Sequence, residues 1–227
     1  LRAMLVGALL LLGLLGGWRI LGLMQADAAL ARGDVGAALR WRPDHAEALL
    51  RQAEAQLAAK QGAAAAASAR QLLQATPMDG RGYRLLAQVA AGEGDAARAR
   101  TLYRIAARRA PGDLPSRAWL AQDALERGDP ADALVQIDAV LTLSPRTGTG
   151  VYPVLVKLAA DPAFANALAD VLQRRPPWRA GMLAALHGAA TEDRAAADQV
   201  LGALQRKGGF DAAETSAWIE ALLRGGR

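Results

Sequence analysis

Four prolines, Pro43, Pro77, Pro111 and Pro145, fall 34 residues apart along a chain of 227. Spacing this regular constrains the fold more than any single motif, because it marks one structural unit that recurs. The intervals are rich in alanine and leucine at helical spacing. Two of them are broken once, by Gly94-Asp95 and Gly128-Asp129. Glycine ends a helix in the left-handed conformation and aspartate caps the next, so each unit reads as helix, turn, helix, proline. The proline then stops one unit and resets the chain for the next.

The residues between the prolines carry a family pattern. Gly80 to Asp113 has Tyr83, Leu86-Ala87, Ala90, Ala99, Tyr103, Ala106 and Pro111. Leu114 to Thr147 has Leu120-Ala121, Ala124, Ala133, Ile137, Val140 and Pro145, with Arg117 where a large apolar residue is usual. Ala46 to Asp79 keeps Leu49, Ala53, Ala65, Ala69 and Pro77 and departs at Gln52 and Gln56. These stretches resemble tetratricopeptide repeats. Small residues such as Ala87, Ala99, Ala121 and Ala133 suit the close approach of two helices, while Leu86, Tyr103, Leu120 and Ile137 suit the space between neighbours. The resemblance implies an all-α, right-handed superhelical solenoid of antiparallel helix pairs. It also implies protein partners, bound in a concave groove lined by the first helix of each unit.

Ala3 to Met24 is apolar except for Arg19, and its 22 residues suffice to cross a hydrocarbon core that takes about 20. Residues 1–24 are therefore expected to be a transmembrane anchor, with Arg19 snorkelling beside the interfacial Trp18. Gly13 and Gly17 form a GxxxG pair suited to contact with a second membrane helix. Ala26-Asp27-Ala28 is shaped like a signal-peptide cleavage site. Cleavage there would remove the helix expected at Ile20 to Ala31, which leads into the turn at Gly33-Asp34, so the anchor is read as retained.

Residues 25–45 are expected to form a short capping repeat. Nine residues separate Asp34 from Pro43, against 16 from Asp95 to Pro111, so its second helix is two turns shorter. Residues 46–147 form the three matched units. The alanine run from Gln61 to Ala69 belongs by register in a second helix. Residues 148–227 read as degenerate helical repeats. Thr147 to Gly150 is expected to be a flexible joint, followed by helices at Val151 to Ala160 and, capped by Asp161-Pro162, up to Arg174. Helices at Trp178 to Leu186 and after Thr191 come next, then one at Ala212 to Arg224 that opens with the capping box Asp211-x-x-Glu214. That last helix carries an apolar stripe of Trp218, Ile219, Leu222 and Leu223. A first helix without a second, and a start at Leu1, suggest that the chain is part of a longer one.

Catalytic and metal chemistry find no support. Cysteine is absent, and the two histidines, His45 and His187, fit a turn and a helix end. There is no HExxH, EF-hand loop or phosphate-binding loop. No cofactor, metal or enzyme activity is expected. The net charge of +5 comes from arginines mixed along the sequence with Asp and Glu, which reads as solvated faces rather than a nucleic-acid surface.

The residues left for function lie on first helices: Glu47, Leu50, Arg51 and Glu54, then Arg81, Arg84, Leu85 and Gln88, then Ala118, Trp119 and Gln122. Arg81, Arg84 and Gln88 suit a carboxylate or a peptide backbone, with Trp119 stacking beside it. The resemblance to single-anchor envelope proteins implies a scaffold of a bacterial inner-membrane assembly, export or exopolysaccharide-synthesis complex, with the array in the periplasm. The positive-inside rule opposes that side, counting Arg2 before the span and Arg32, Arg40 and Arg42 after it. Two other readings stand beside it. One is a regulatory or substrate-binding part of a larger enzyme continuing beyond Arg227, and the other is a nucleic-acid-binding helical repeat, which the anchor and the mixed charge disfavour.

Overall fold

The computed structural model describes the backbone of residues 2–224 and the side-chain surroundings of residues 18–220, with 13, 16 and 223. All regular structure among them is helical: α1 (Arg2–Ala31), α2 (Val35–Trp41), α3 (Ala46–Ala58), α4 (Gly62–Ala75), α5 (Gly80–Gly92), α6 (Ala96–Arg109), α7 (Leu114–Glu126), α8 (Pro130–Leu143), α9 (Gly148–Leu158), α10 (Pro162–Gln173), α11 (Arg179–His187), α12 (Arg194–Arg206) and α13 (Ala212–Arg224). Two compact units divide the chain, Leu1–Asp113 and Leu114–Arg227. The division falls inside the stretch 46–147, between the second and third matched repeats.

In the first unit, antiparallel pairs form as the repeat register requires: α1 with α2, α3 with α4 and α5 with α6. The turns at Gly33 and Gly94 have φ of +82° and +81°, a conformation that costs a side chain about 1–2 kcal/mol. Asp34 then accepts from Ala37 N at 2.7 Å and Asp95 from Arg98 N at 3.0 Å, capping α2 and α6. Ala65, Ala69, Ala99 and Ala106 are fully buried between paired helices. Any larger side chain there would hold the helices apart. The second helix of the first pair, α2, has 7 residues where α4 and α6 have 14, which is the two-turn shortening expected from Asp34 and Pro43.

Ala46 to Asp79 departs from the pattern, and its departures have partners. Lys60 stands where glycine stands in the neighbouring unit and takes the same left-handed conformation, at φ +59°. Gln56 accepts the hydroxyl of buried Ser68 at 2.8 Å, tying α3 to α4. Leu50 and Leu85, assigned by register to the groove, are instead 4% and 0% exposed. They pack with Leu49, Ala53, Ala69 and Leu72 in the core of the unit, because residues three and four apart share one helix face.

In the second unit, α7 and α8 form a close pair with a Gly128 turn at φ +69°. Asp129 caps α8 by accepting from Asp132 N at 3.0 Å. Beyond Pro145 the packing changes. α9 lies mainly against α11, and α10 against α8 and α12. Tyr152, Phe164, Trp178 and Met182 replace the small residues of the regular pairs, and the core is built around them. Thr147 to Gly150 is not a joint: Pro145–Thr147 is a 3-10 turn and Gly148 begins α9, buried beneath the Tyr152 ring. The capping box forms reciprocally, with Asp211 N donating to Glu214 Oε2 at 3.0 Å and Glu214 N to Asp211 Oδ1 at 2.9 Å. Trp218 is half-buried and stacks on Phe210 at 5.4 Å, while Ile219 and Leu223 stay exposed.

α1 runs unbroken for 30 residues, about 45 Å at the standard rise. Its C-terminal turns are packed through Ala26, Ala29 and Leu30 against Ala38 and Ala48. Further back, Trp18, Ile20, Leu21, Leu23 and Met24 are exposed. Among the described residues no helix is long and apolar enough to cross a membrane. Most of the apolar segment 3–24 lies outside the residues whose side chains are described. So does Gly17 of the GxxxG pair, whereas Gly13 is exposed with nothing near it.

Candidate functional site

The first helices of the first unit, α3 and α5, lie beside each other. Repeats offset by 34 residues bring like positions together, and here the facing positions hold opposite charges. Arg81 Nη1 donates to Glu47 Oε2 at 3.1 Å, and Arg84 Nη2 to Glu54 Oε1 at 3.1 Å. Each arginine also meets an aspartate at the start of a first helix. Arg81 makes a bidentate pair with Asp79, Nη2 to Oδ2 at 2.8 Å and Nε to Oδ1 at 3.1 Å, and Arg84 Nε lies 3.2 Å from Asp113 Oδ1. The Arg81 guanidinium holds the Asp79 carboxyl below the usual aspartate range, against the opposing effect of burial. Burial pushes the nearby Tyr103 phenol up to about 12.

The carboxylates expected from a partner are therefore supplied by the chain itself. Arg81 and Arg84 lock α3 to α5. Arg51 likewise serves the fold, donating to the Leu30 carbonyl at 3.2 Å and so satisfying a carbonyl at the C-terminal end of α1. These pairs leave the seam bordered by Glu47, Glu54, Asp79 and Asp113 against Arg51, Arg81 and Arg84, with no surplus of positive charge.

Two hollows run along this seam. One, of about 320 Å³, is lined by Glu54, Leu57, Arg84 and Gln88. The other, of about 480 Å³, is lined by Leu57, Lys60, Gly62, Gln88, Val89, Gly92 and Glu93. Leu57 and Gln88 belong to both. Register had singled out Gln88, but it had not found Leu57, whose half-exposed side chain gives the seam an apolar floor; its position one turn beyond Glu54 on α3 was the available signal. A third hollow, of about 330 Å³, lies between α2 and α3 and includes Arg51 and Gln52.

Trp119 and Gln122 lie on α7, in the second unit. Gln122 is exposed and its amide donates to Glu126 Oε1 at 2.9 Å, while Trp119 is half-buried. The structure describes each unit by itself, so Trp119 is not placed against Arg84 or Gln88.

The histidines are held by the fold. His45 Nδ1 accepts from Ala48 N at 3.2 Å, capping α3, and Nε2 lies 2.9 Å from Asp27 Oδ1. His187 closes the last turn of α11. Among the described residues no group of three or more His, Cys, Asp or Glu side chains is placed to hold a metal ion.

No family model and no curated protein matches the chain. Among solved structures it is similar to the one described as the crystal structure of MamA protein, with a TM-score of 0.44 and 12% sequence identity, over 86% of this chain and 97% of that one.

Proposed function

We propose that the chain is a membrane-anchored scaffold whose tetratricopeptide-like helix pairs dock an extended segment of another protein along the α3–α5 seam. The observation that carries this reading is the pair of hollows sharing Leu57 and Gln88. Their size suits a few side chains of a peptide, and the helices beside them are fixed in advance by the Glu47–Arg81 and Glu54–Arg84 bridges. A site held rigid before binding loses less conformational entropy on docking. Because the seam carries no surplus positive charge, the segment it suits is apolar or mixed rather than acidic. In the second unit, taken by itself, Trp119 and Gln122 on α7 are the positions proposed for partner contact.

The anchor reading rests on the apolar segment 3–24 and on exposed Trp18, Ile20, Leu21, Leu23 and Met24. Gly13 and Gly17 supply a contact face for a second membrane helix. The pathway, an envelope assembly, export or exopolysaccharide-synthesis complex of a bacterial inner membrane with the array in the periplasm, rests on resemblance to single-anchor envelope proteins.

A photocrosslinking residue at position 88, in cells, tests the docking reading. We expect discrete adducts from position 88 and none from exposed Arg174 used the same way; the same adducts from both positions would remove the seam as the site. Alkaline phosphatase fused after Arg227 tests the topology, since it is active only outside the cytoplasm. Release of the chain from membranes by alkaline carbonate would remove the anchor.

A further inference from the structure

The apolar segment of α1 and the short helix α2 meet at one level. Ala38 packs with Ala26 and Ala29, and one turn further along the antiparallel pair α2 ends against buried Gly22. A Cβ on Gly22 would lie 3.8 Å from the Trp41 carbonyl oxygen and 3.9 Å from Arg42 Cδ. Around that level α1 exposes Trp18, Ile20, Leu21, Leu23 and Met24, and Trp41 is itself 44% exposed. Trp18 lies four residues before Gly22 on the same side of α1, about 6 Å along the axis. Two exposed tryptophans from different helices therefore stand about one turn apart.

Two lengths agree with a membrane boundary at this level. A hydrocarbon core takes about 20 residues of helix, and counted from Ala3, where the apolar segment begins, that span ends at Gly22. The second length is that of α2, which has 7 residues where α4 and α6 have 14. Seven more residues, running antiparallel to α1, would carry it about 10 Å past Gly22, alongside the apolar residues that a span offers to lipid. Pro43 stops it before that point. The acids nearest the boundary already have partners in the fold: Asp44 accepts from Arg42 Nε at 2.9 Å and Nη2 at 3.1 Å, and Asp27 Oδ1 lies 2.9 Å from His45 Nε2.

We propose that Trp41, at the end of α2, sits in the headgroup layer of the lipid bilayer beside Trp18 of α1, so that the first helix pair rests on the membrane at two points instead of hanging from α1 alone. The inference rests on the anchored reading given above. An indole suits that layer because its ring is apolar while its N–H can donate to headgroup oxygens. Arg19 directly after Trp18 and Arg40 directly before Trp41 are both exposed, and from there a long side chain reaches the lipid phosphates. A protein partner fits this patch less well, because a span ending at Gly22 brings lipid to Trp41 first.

The test uses the full chain in phosphatidylcholine vesicles whose acyl chains carry bromine near the headgroup, which quenches tryptophan at that depth. Trp41→Phe is expected to lower the quenched emission by about half, Trp18→Phe to do the same, and the two together to abolish it. Trp119→Phe, in the second unit, should leave it unchanged. Because the chain has no cysteine, a second readout keeps every tryptophan in place. A nitrobenzoxadiazole label on Arg40→Cys should be quenched by the brominated lipid, whereas the same label on Arg32→Cys, at the far end of the helix pair, should not. Unchanged quenching in Trp41→Phe, with Trp18→Phe removing all of it and the label at position 40 unquenched, would overturn the contact and leave the anchor standing. No quenching in any of these chains, together with release by alkaline carbonate, would remove the anchor and the contact with it.

Discussion

Glu214→Gln isolates the ion pair that fastens the last helix. Arg179 is 5% exposed, and its Nε and Nη2 donate to Glu214 Oε1 and Oε2 at 2.7 and 2.8 Å. Nη2 also donates to the Gly209 carbonyl at 2.8 Å, and Nη1 to that of Leu172. Glutamine has the shape of glutamate but one acceptor oxygen in place of two: with that oxygen kept for the Asp211 backbone N–H the capping box survives, while the charge and the acceptor for Arg179 Nε are lost together. A buried guanidinium then faces neutral acceptors alone. Removing one partner of a fully buried pair costs about 3–5 kcal/mol. Glu214 is 19% exposed, so solvent screening reduces the expected loss to about 2–3 kcal/mol. The same bond gives a pH signature. Arg179 holds the Glu214 carboxyl below its ordinary 4.5, against burial. A depressed carboxylate stabilises the fold fully above its unfolded pKa, and that contribution fades as pH falls through the folded one. Between pH 7 and about 3 the native chain should therefore lose more stability than the variant. Urea unfolding followed by tryptophan fluorescence, with Trp218 on the affected helix, measures both. Adding Arg179→Met should recover part of the loss, because an apolar residue leaves no buried charge behind. A loss under about 0.5 kcal/mol, or two single losses that simply add in the double variant, would refute this account of the pair.

Lys60→Gly with Gln61→Asp should stabilise the first unit by about 1–2 kcal/mol, since Lys60 occupies a left-handed conformation and Gln61 caps α4 without a side-chain hydrogen bond; an unchanged melting temperature would contradict this. Gly80→Ala and Gly92→Ala, at opposite ends of α5, should have opposite signs. A Cβ on Gly80 would lie 2.8 Å from Ala110 Cβ and 2.9 Å from the Ala106 carbonyl oxygen, for a loss of about 1–3 kcal/mol, whereas one on Gly92 meets nothing within 4 Å and gains about 0.4–1 kcal/mol. Ala99→Leu should cost about 1–3 kcal/mol by overpacking a fully buried position, while Arg98→Ala stays within about 0.5 kcal/mol; equal shifts in thermal melts would mean the helix face is misassigned.

The repeat was legible because its signals are local. Proline and glycine act on their own backbone, and an aspartate cap needs only the next turn, so helix ends at Gly94-Asp95, Gly128-Asp129 and Asp161-Pro162 can be read from single positions. Lys60 hid the same turn, since the unit imposes a left-handed conformation there on a residue that does not favour it. Register is less forgiving. Leu50 and Leu85 differ from true groove positions by a fraction of a helical turn, and packing takes both Leu49 and Leu50 into the core.

By itself, the sequence determined the helical class, the 34-residue unit, the shortened α2 and the helices after Pro145, because periodicity and caps depend on neighbours along the chain. Tertiary structure alone decided what the charges do. Arg81 and Arg84 read as a carboxylate clamp until α3 and α5 come side by side and Glu47 and Glu54 reach them across about one repeat of sequence. The physical reason is that Coulombic partners are set by distance in space, and a repeat brings together residues that lie some thirty positions apart in the chain.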